Sequence, residues 1–183
     1  MIYRAEAIPE TREEARQAVY QALDALGIEY RSIEHAPAFC MEDVLEVNRT
    51  LNAVSCKNYF LTTRSKKLYA LCVARPDARF RTADISKQAG TPRLTFAGEE
   101  EMWDMLRTYP GAVTPMGLLF DRERRVRLLV DDGLKEMEDL AFHPCDNSHS
   151  LAMSAGDFFG KFLPAAGCDV QYVRFHDFDE SMI

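Results

Sequence analysis

Apolar residues recur at helical spacing near the start of the chain, where Ala15, Val19, Ala22, Leu23 and Leu26 fall on one face. Thr11 with Glu14 three residues later is a capping box, in which each residue satisfies an otherwise orphaned backbone donor. The pattern predicts a helix over residues 10–28, stopped at Gly27. Residues 28–33 then alternate and predict a strand, and residues 41–48 begin a short helix with Val44 and Val47 on one face. Residues 59–63 and 68–74 flank Arg64-Ser65-Lys66-Lys67, which predicts a hairpin with a basic tip. Thr82-Ala83-Asp84 opens a helix that ends near Gly90, and residues 99–107 form another with Trp103 and Leu106 turned inward. Residues 117–120 and 126–130 read as a second hairpin around the charged turn Asp121-Arg122-Glu123-Arg124-Arg125. Ser154 caps a helix to about Leu163, residues 169–175 form the last strand, and residues 176–183 read as a frayed acidic tail. Strands and helices mix without strict alternation, so the fold class is α+β, a mixed β-sheet flanked by helices.

Composition narrows the function. The 183 residues read as one domain over 1–183, with 47% hydrophobic and 28% charged residues, enough for a real core. The longest apolar run, residues 68–74, is far short of the ~20 residues that cross a bilayer. The start, Met1-Ile2-Tyr3-Arg4-Ala5-Glu6, lacks the apolar stretch of a secretion signal, so the expected location is cytoplasmic. Cys40, Cys56, Cys72, Cys145 and Cys168 are odd in number and form no C-x-x-C pair, which argues against a disulfide framework or a zinc ribbon. A net charge of −7 excludes a protein that coats nucleic acid by bulk charge, though not a local basic patch that grips one RNA end. Three such patches stand out: Arg64-Ser65-Lys66-Lys67; Arg79 and Arg81 with Lys87 and Arg93; and Arg122, Arg124, Arg125 and Arg127.

Four segments carry polar chemistry. Lys57 heads the strand Lys57-Asn58-Tyr59-Phe60-Leu61, where a lysine is either a phosphate contact or a strand-end residue reaching for water. The run Pro110-Gly111-Ala112-Val113-Thr114-Pro115-Met116-Gly117 is a ligand loop with backbone donors for an oxyanion, or a plain turn. His143-Pro144-Cys145-Asp146-Asn147-Ser148-His149 would set His143, Cys145 and His149 on one face if extended, which permits a metal site. A polar turn with a satisfied histidine is the simpler account of that segment. His35-Ala36-Pro37 offers an acid, a base or a loop anchor. No G-x-S-x-G, Walker, H-E-x-x-H or G-x-G-x-x-G motif is present.

Taken in order, these segments resemble the YbaK/prolyl-tRNA-synthetase-associated editing family over roughly residues 10–175, above all its free-standing deacylases of alanyl-tRNA(Pro). The resemblance implies a mixed sheet with flanking helices and hydrolysis of an aminoacyl ester on tRNA, with no metal, no cofactor and no covalent intermediate. It implies catalytic roles for Lys57 at the tRNA acceptor end, Gly111 in the loop that holds the carbonyl, and His143. It places His35, Ala112, Val113, Thr114, Pro115, Met116, Pro144, Asn147 and Ser148 around the substrate. The partner it implies is the acceptor end of tRNA(Pro), with docking on prolyl-tRNA synthetase left open, no membrane, and a monomer favoured. Met116 stands where the family often carries an aromatic residue, and Ala36 separates His35 from Pro37 where His-Pro is usual; both bear on the amino-acid pocket. The alternative reading is a module that senses aminoacyl-tRNA or an amino acid without hydrolysing it.

Overall fold

The computed structural model describes residues 2–3, 7–37 and 41–177, with only the backbone of residues 41, 42, 176 and 177. Cys40 and residues 178–183 of the expected tail lie outside the described residues. Among the described residues no helix is long and apolar enough to cross a membrane.

Helix α1 (Arg12–Ala25) begins with the expected capping box, Glu14 N–H donating to Thr11 Oγ1 at 3.2 Å, and ends before Gly27 at φ +62°. Strands β1 (Tyr30–Glu34), β9 (His149–Ser154), β8 (Asp139–Phe142) and β2 (Val54–Ser55) form one sheet in the order β1-β9-β8-β2. Strands β10 (Val170–Val173), β7 (Val126–Asp131), β4 (Tyr69–Ala74), β3 (Lys57–Thr63) and β6 (Leu94–Phe96) form a second, in the order β10-β7-β4-β3-β6. Each sheet contains parallel and antiparallel neighbours, so there are two mixed sheets rather than one.

The main core lies between the sheets. Leu140, Phe142, Leu151 and Met153 from one meet Phe60, Leu71, Val73, Leu128 and Val130 from the other, and α1 closes the layer with Ala15, Val19, Ala22 and Leu23. Strand side chains alternate, so each sheet has a second face to cover. Helix α2 (Met41–Leu51) covers the first with Val47 and Leu51, and α3 (Thr82–Gln88) covers the second with Ile85.

The 59–74 hairpin forms as the pattern predicts, Leu61 pairing with Ala70. The hairpin expected over 117–130 does not. Residues Pro115–Phe120 are a fully buried 3-10 helix, started by Thr114 as cap and Pro115 at its first turn. Strand β7 lies instead between β4 and β10, parallel to both. A short apolar run carries no period that separates a buried helical turn from a strand. In helix α4 (Glu99–Leu106), Met105 and Leu106 take the buried positions and Trp103 stays half-buried. After Ser154 the chain is helical in three joined pieces, α5 (Ala155–Asp157), a π-helical turn (Phe158–Phe162) and α6 (Leu163–Ala166). The tail is corrected in part: His176–Asp177 (β11) pairs antiparallel with Ala78–Arg79 (β5).

Gly117 fixes how the 3-10 helix seats on α4. A Cβ there would fall 2.5 Å from the Leu106 carbonyl oxygen and 2.8 Å from Leu106 Cβ. Backbone at that distance cannot step aside. Gly117→Ala is expected to lower the unfolding free energy by about 1–3 kcal/mol, as overpacking does; urea denaturation of the variant beside the parent protein checks it.

Candidate active site

Strand order brings His35, Lys57 and the 143–149 turn to one end of the molecule. β8 and β2 run parallel, Ser55 beside Ala141, and Cys56 N–H donates to the Ala141 carbonyl at 3.2 Å. Lys57 therefore starts β3 where β8 runs out into His143. β9 returns antiparallel beside β8, Phe142 facing Leu151, and β1 pairs with β9, Glu34 facing His149. His35 thus arrives at the same end, its N–H donating to the Ser148 carbonyl at 2.9 Å.

Residues between β8 and β9 turn rather than extend, with Cys145 at φ +63°. The shared strand face on which a His143, Cys145 and His149 metal site would depend is absent. Cys145 is fully buried with Sγ 3.9 Å from the Leu106 carbonyl, and burial pushes its thiol far above the ordinary range. It is neither ligand nor nucleophile in this arrangement.

Asp146 organises the turn. It accepts from Ser148 N at 3.0 Å, Ser148 Oγ at 2.8 Å and Arg16 Nη1 at 2.6 Å, with Tyr109 Oη 3.4 Å away. Burial opposes its ionisation, but the bonds from Ser148 and Arg16 outweigh that and hold the carboxyl below the usual carboxylate range. Tyr109 Oη donates to Asn147 Oδ1 at 2.9 Å and accepts from Asn147 N–H at 3.2 Å. The Arg12 guanidinium stacks 3.7 Å above the Tyr109 ring. Arg16, Tyr109 and Asp146 hold the turn in place, a set of contacts that the sequence pattern does not reveal. Arg16 stands between buried Ala15 and exposed Gln17 on α1, and nothing in the sequence pairs it with a residue 130 positions away.

The histidines are oriented by fixed acceptors. His143 Nδ1–H donates to the His149 carbonyl at 2.7 Å, which leaves Nε2 as a lone pair without a protein partner among the described residues. Burial pushes the His143 pKa down, so its ring is neutral at pH 7. His35 Nδ1 donates to the Ala36 carbonyl at 2.7 Å, and its Nε2 meets Ser150 Oγ at 2.8 Å. Ser150 Oγ is also 3.5 Å from His143 Nδ1, so Ser150, another residue the sequence reading missed, bridges the two rings. His149 also lies below the ordinary range, through burial and then Arg16, so its 3.6 Å approach to Asp146 is not an ion pair at neutral pH.

The 111–115 loop closes the arrangement from the α4 side. Gly111 is exposed at φ +89°, and a Cβ on it would lie 3.3 Å from Asn147 Nδ2, so loop and turn touch here. Thr108 Oγ1 donates to the Ala112 carbonyl at 2.5 Å, and Ala112 N–H to the Tyr109 carbonyl at 2.9 Å. The N–H groups of Gly111, Val113 and Thr114 meet no acceptor among the described residues. Ala112, Thr114, Pro115, Met116 and Pro144 are buried, and Val113, Asn147 and Ser148 are half-buried. Met116, the residue expected to tune the amino-acid pocket, is fully enclosed in the main core and reaches a substrate only through the packing beneath the loop. A cleft of about 560 Å³ adjoins His35, lined by Glu34, Pro37, Asp43, Glu46, Val47 and Thr50 among others; neither His143 nor Gly111 lines it.

The shifts set a pH dependence. His143 and His149 bind protons less readily folded than unfolded, so stability is full above the ordinary histidine value of about 6.5 and falls as pH drops through it. Asp146, shifted down, adds a further loss only below about pH 4. The thermal midpoint is expected to be lower at pH 5.5 than at 7.5, with a smaller drop in His143→Asn. Equal midpoints at the two pH values in the parent protein would contradict the burial argument.

Comparison with known proteins agrees with this fold. The aminoacyl-tRNA editing domain matches residues 35–159, which hold every segment gathered at the site except α1 and β1. The prolyl-tRNA editing protein ProX of Acetoanaerobium sticklandii is 32% identical over 144 residues, covering 79% of this chain and 88% of its own. Prolyl-tRNA synthetase associated domain-containing protein 1 of Mus musculus is 31% identical over 166 residues, covering 88% and 97%. A crystal structure described as a proposed trans-editing enzyme for prolyl-tRNA synthetase superposes with a TM-score of 0.67 at 15% identity, over 90% of this chain and 98% of that one, a likeness of fold. With the match spanning well over half its length, this chain belongs to the aminoacyl-tRNA editing domain family.

Proposed function

We propose that this protein hydrolyses the ester of tRNA(Pro) mischarged with alanine, acting in trans. Its family is one of aminoacyl-tRNA deacylases, and the relatives named above are prolyl-tRNA editing and prolyl-tRNA-synthetase-associated proteins. The observation that carries the reading is the contact of the 111–115 loop with the 143–149 turn, Asn147 against Gly111, where β8 runs out beside the start of β3 and Lys57.

In this reading water is the nucleophile. The Cys145 thiol is enclosed, Ser148 Oγ is committed to Asp146, and Ser150 Oγ lies between His35 and His143. An aminoacyl ester is already activated, so positioning and charge stabilisation suffice. Water oxygen bonds to the ester carbon, and the oxyanion that develops is received by the unpartnered N–H groups at Gly111 and Val113. The carbon–oxygen bond to the ribose then breaks, a proton passes to the ribose oxygen, and free amino acid and tRNA leave. The neighbouring ribose hydroxyl orients the water. His143 Nε2, held as an acceptor, takes a hydrogen bond from the water or the substrate amino group. Lys57, exposed and without an ion-pair partner among the described residues, takes the phosphate of the terminal nucleotide. Size sets the specificity: a pocket closed by buried packing admits alanine and excludes proline by clash.

The test is hydrolysis of tRNA(Pro) charged with alanine, serine, cysteine or proline. Alanine is expected to be lost and proline spared, with Lys57→Ala slowed about 10²-fold while its circular dichroism stays unchanged. Binding of aminoacyl-tRNA without hydrolysis of any ester would replace the reading with a sensor.

A further inference from the structure

The face of β3 that carries Lys57 also carries a cluster of rings that the site above does not use. Tyr59 follows Lys57 by two residues, hence on the same side of the strand, about 7 Å further along. Its ring stacks on Phe80 with centroids 3.9 Å apart, and Phe96 packs edge-on at 6.3 Å. Phe80 in turn lies 5.9 Å from Phe96 and 6.2 Å from buried Phe175. Phe96 is 62% exposed, the highest value among the large apolar side chains described. Tyr172, also exposed, has the Lys135 ammonium over its ring at 3.3 Å; Phe96 has no such cover.

The surrounding charge is selective. Of the three basic patches in the sequence, the hairpin tip is partly spent, Lys66 being paired with Glu101 at 2.8 Å. The 122–127 patch is partly spent as well, with Arg125 within 3.9 Å of both Asp104 and Glu123. Arg81 and Arg93 meet no carboxylate among the described residues. Arg93 Nε donates to Thr82 Oγ1 at 3.2 Å, which brings it to the start of α3 beside Arg81 and therefore beside Phe80. The acidic first turn of α4, Glu99 to Glu101, begins past Gly98 on the continuation of the chain from Phe96, so the basic rim lies on the α3 side. Strand β6 has only three residues, and the pairing of this edge of β3 ends at Phe60, whose carbonyl accepts from Ala97 N–H at 2.9 Å, so the edge from Tyr59 back to Lys57 has no strand beside it among the described residues.

We propose that Phe96, Tyr59 and Phe80 form a stacking platform for the single-stranded 3′ end of the tRNA, with Arg81 and Arg93 holding its phosphates. The exposed ring of Phe96, backed by the stacked and half-buried pair Tyr59 and Phe80 and beside guanidinium groups that meet no carboxylate among the described residues, is the kind of surface that unstacked bases recognise without regard to sequence. The step from Lys57 to Tyr59 is one that a single nucleotide of extended backbone spans. The terminal nucleotide then sits at Lys57 with its aminoacyl group toward Gly111 and His143, and the nucleotides before it lie on the rings. This extends the proposed function by naming what holds the RNA, and it explains how a chain of net charge −7 grips RNA at one place.

The test is fluorescence anisotropy with an uncharged RNA minihelix that bears the acceptor stem and its single-stranded 3′ end, and with the same RNA trimmed to a blunt end. Phe96→Ala is expected to raise Kd for the tailed RNA about tenfold, within the range of base–aromatic stacking, while Phe96→Trp retains affinity. The blunt RNA is expected to bind both proteins equally. Arg81→Ala with Arg93→Ala is expected to flatten the slope of log Kd against log salt by about 1.4, roughly 0.7 for each single-strand phosphate. Unchanged affinity in Phe96→Ala, or an equal loss for both RNAs, would overturn the platform. The two readings fail separately: a parent protein that shows this binding pattern but hydrolyses no ester removes the deacylase and keeps the platform, and a hydrolase indifferent to Phe96 does the reverse.

Discussion

One buried carboxylate joins the pieces of the site. Asp146 accepts from Arg16 on α1 and from Ser148 in its own turn, and lies next to Tyr109, whose hydroxyl also holds both ends of Asn147. A buried charge is costly unless paired and hydrogen-bonded, so each of these partners is required by the others. α1, the 108–112 segment and the 143–149 turn are thereby held in one arrangement. That arrangement faces Asn147 toward Gly111 and sets His143 Nδ1 on the His149 carbonyl.

The two-sheet architecture supplies the rest. Parallel pairing of β2 with β8 delivers Lys57 to the end where His143 emerges, and the antiparallel returns of β9 and β1 bring Ser150 and His35 alongside. Because β2 and β3 belong to different sheets, the chain crosses from one to the other at Cys56, just before Lys57. The lysine therefore stands at the junction, with the imidazoles toward one sheet and the aromatic face of β3 on the other. For an activated ester this suits the chemistry. In the proposed hydrolysis the protein would supply fixed donors and acceptors where charge develops, and no side-chain nucleophile would have to be raised out of its resting state.

Local signals were legible wherever the physics is local. The Thr11–Glu14 capping box, the stop at Gly27, the hairpin over 59–74 and the Ser154 cap each depend on residues within a few positions of one another, and each forms. The resemblance to the editing family was legible too, because the segments that carry it stand in one order along the chain, and the family match over residues 35–159 agrees with it. The α+β class followed from the same local patterns.

Tertiary structure decided the remainder. Residues 117–120 became a buried 3-10 helix because Gly117 seats against Leu106, a contact with no counterpart in sequence spacing. Strand β7 became a central parallel strand because β4 and β10 leave that slot between them, although its apolar run fits a hairpin arm equally well. Met116 went into the core and Gly111 stayed at the surface, so the loop offers backbone rather than side chains. Arg16 and Asp146 met across 130 residues. Periodicity and capping report on neighbours along the chain; which buried charge finds which partner is settled only when distant segments pack, because only then does desolvation make the pairing compulsory.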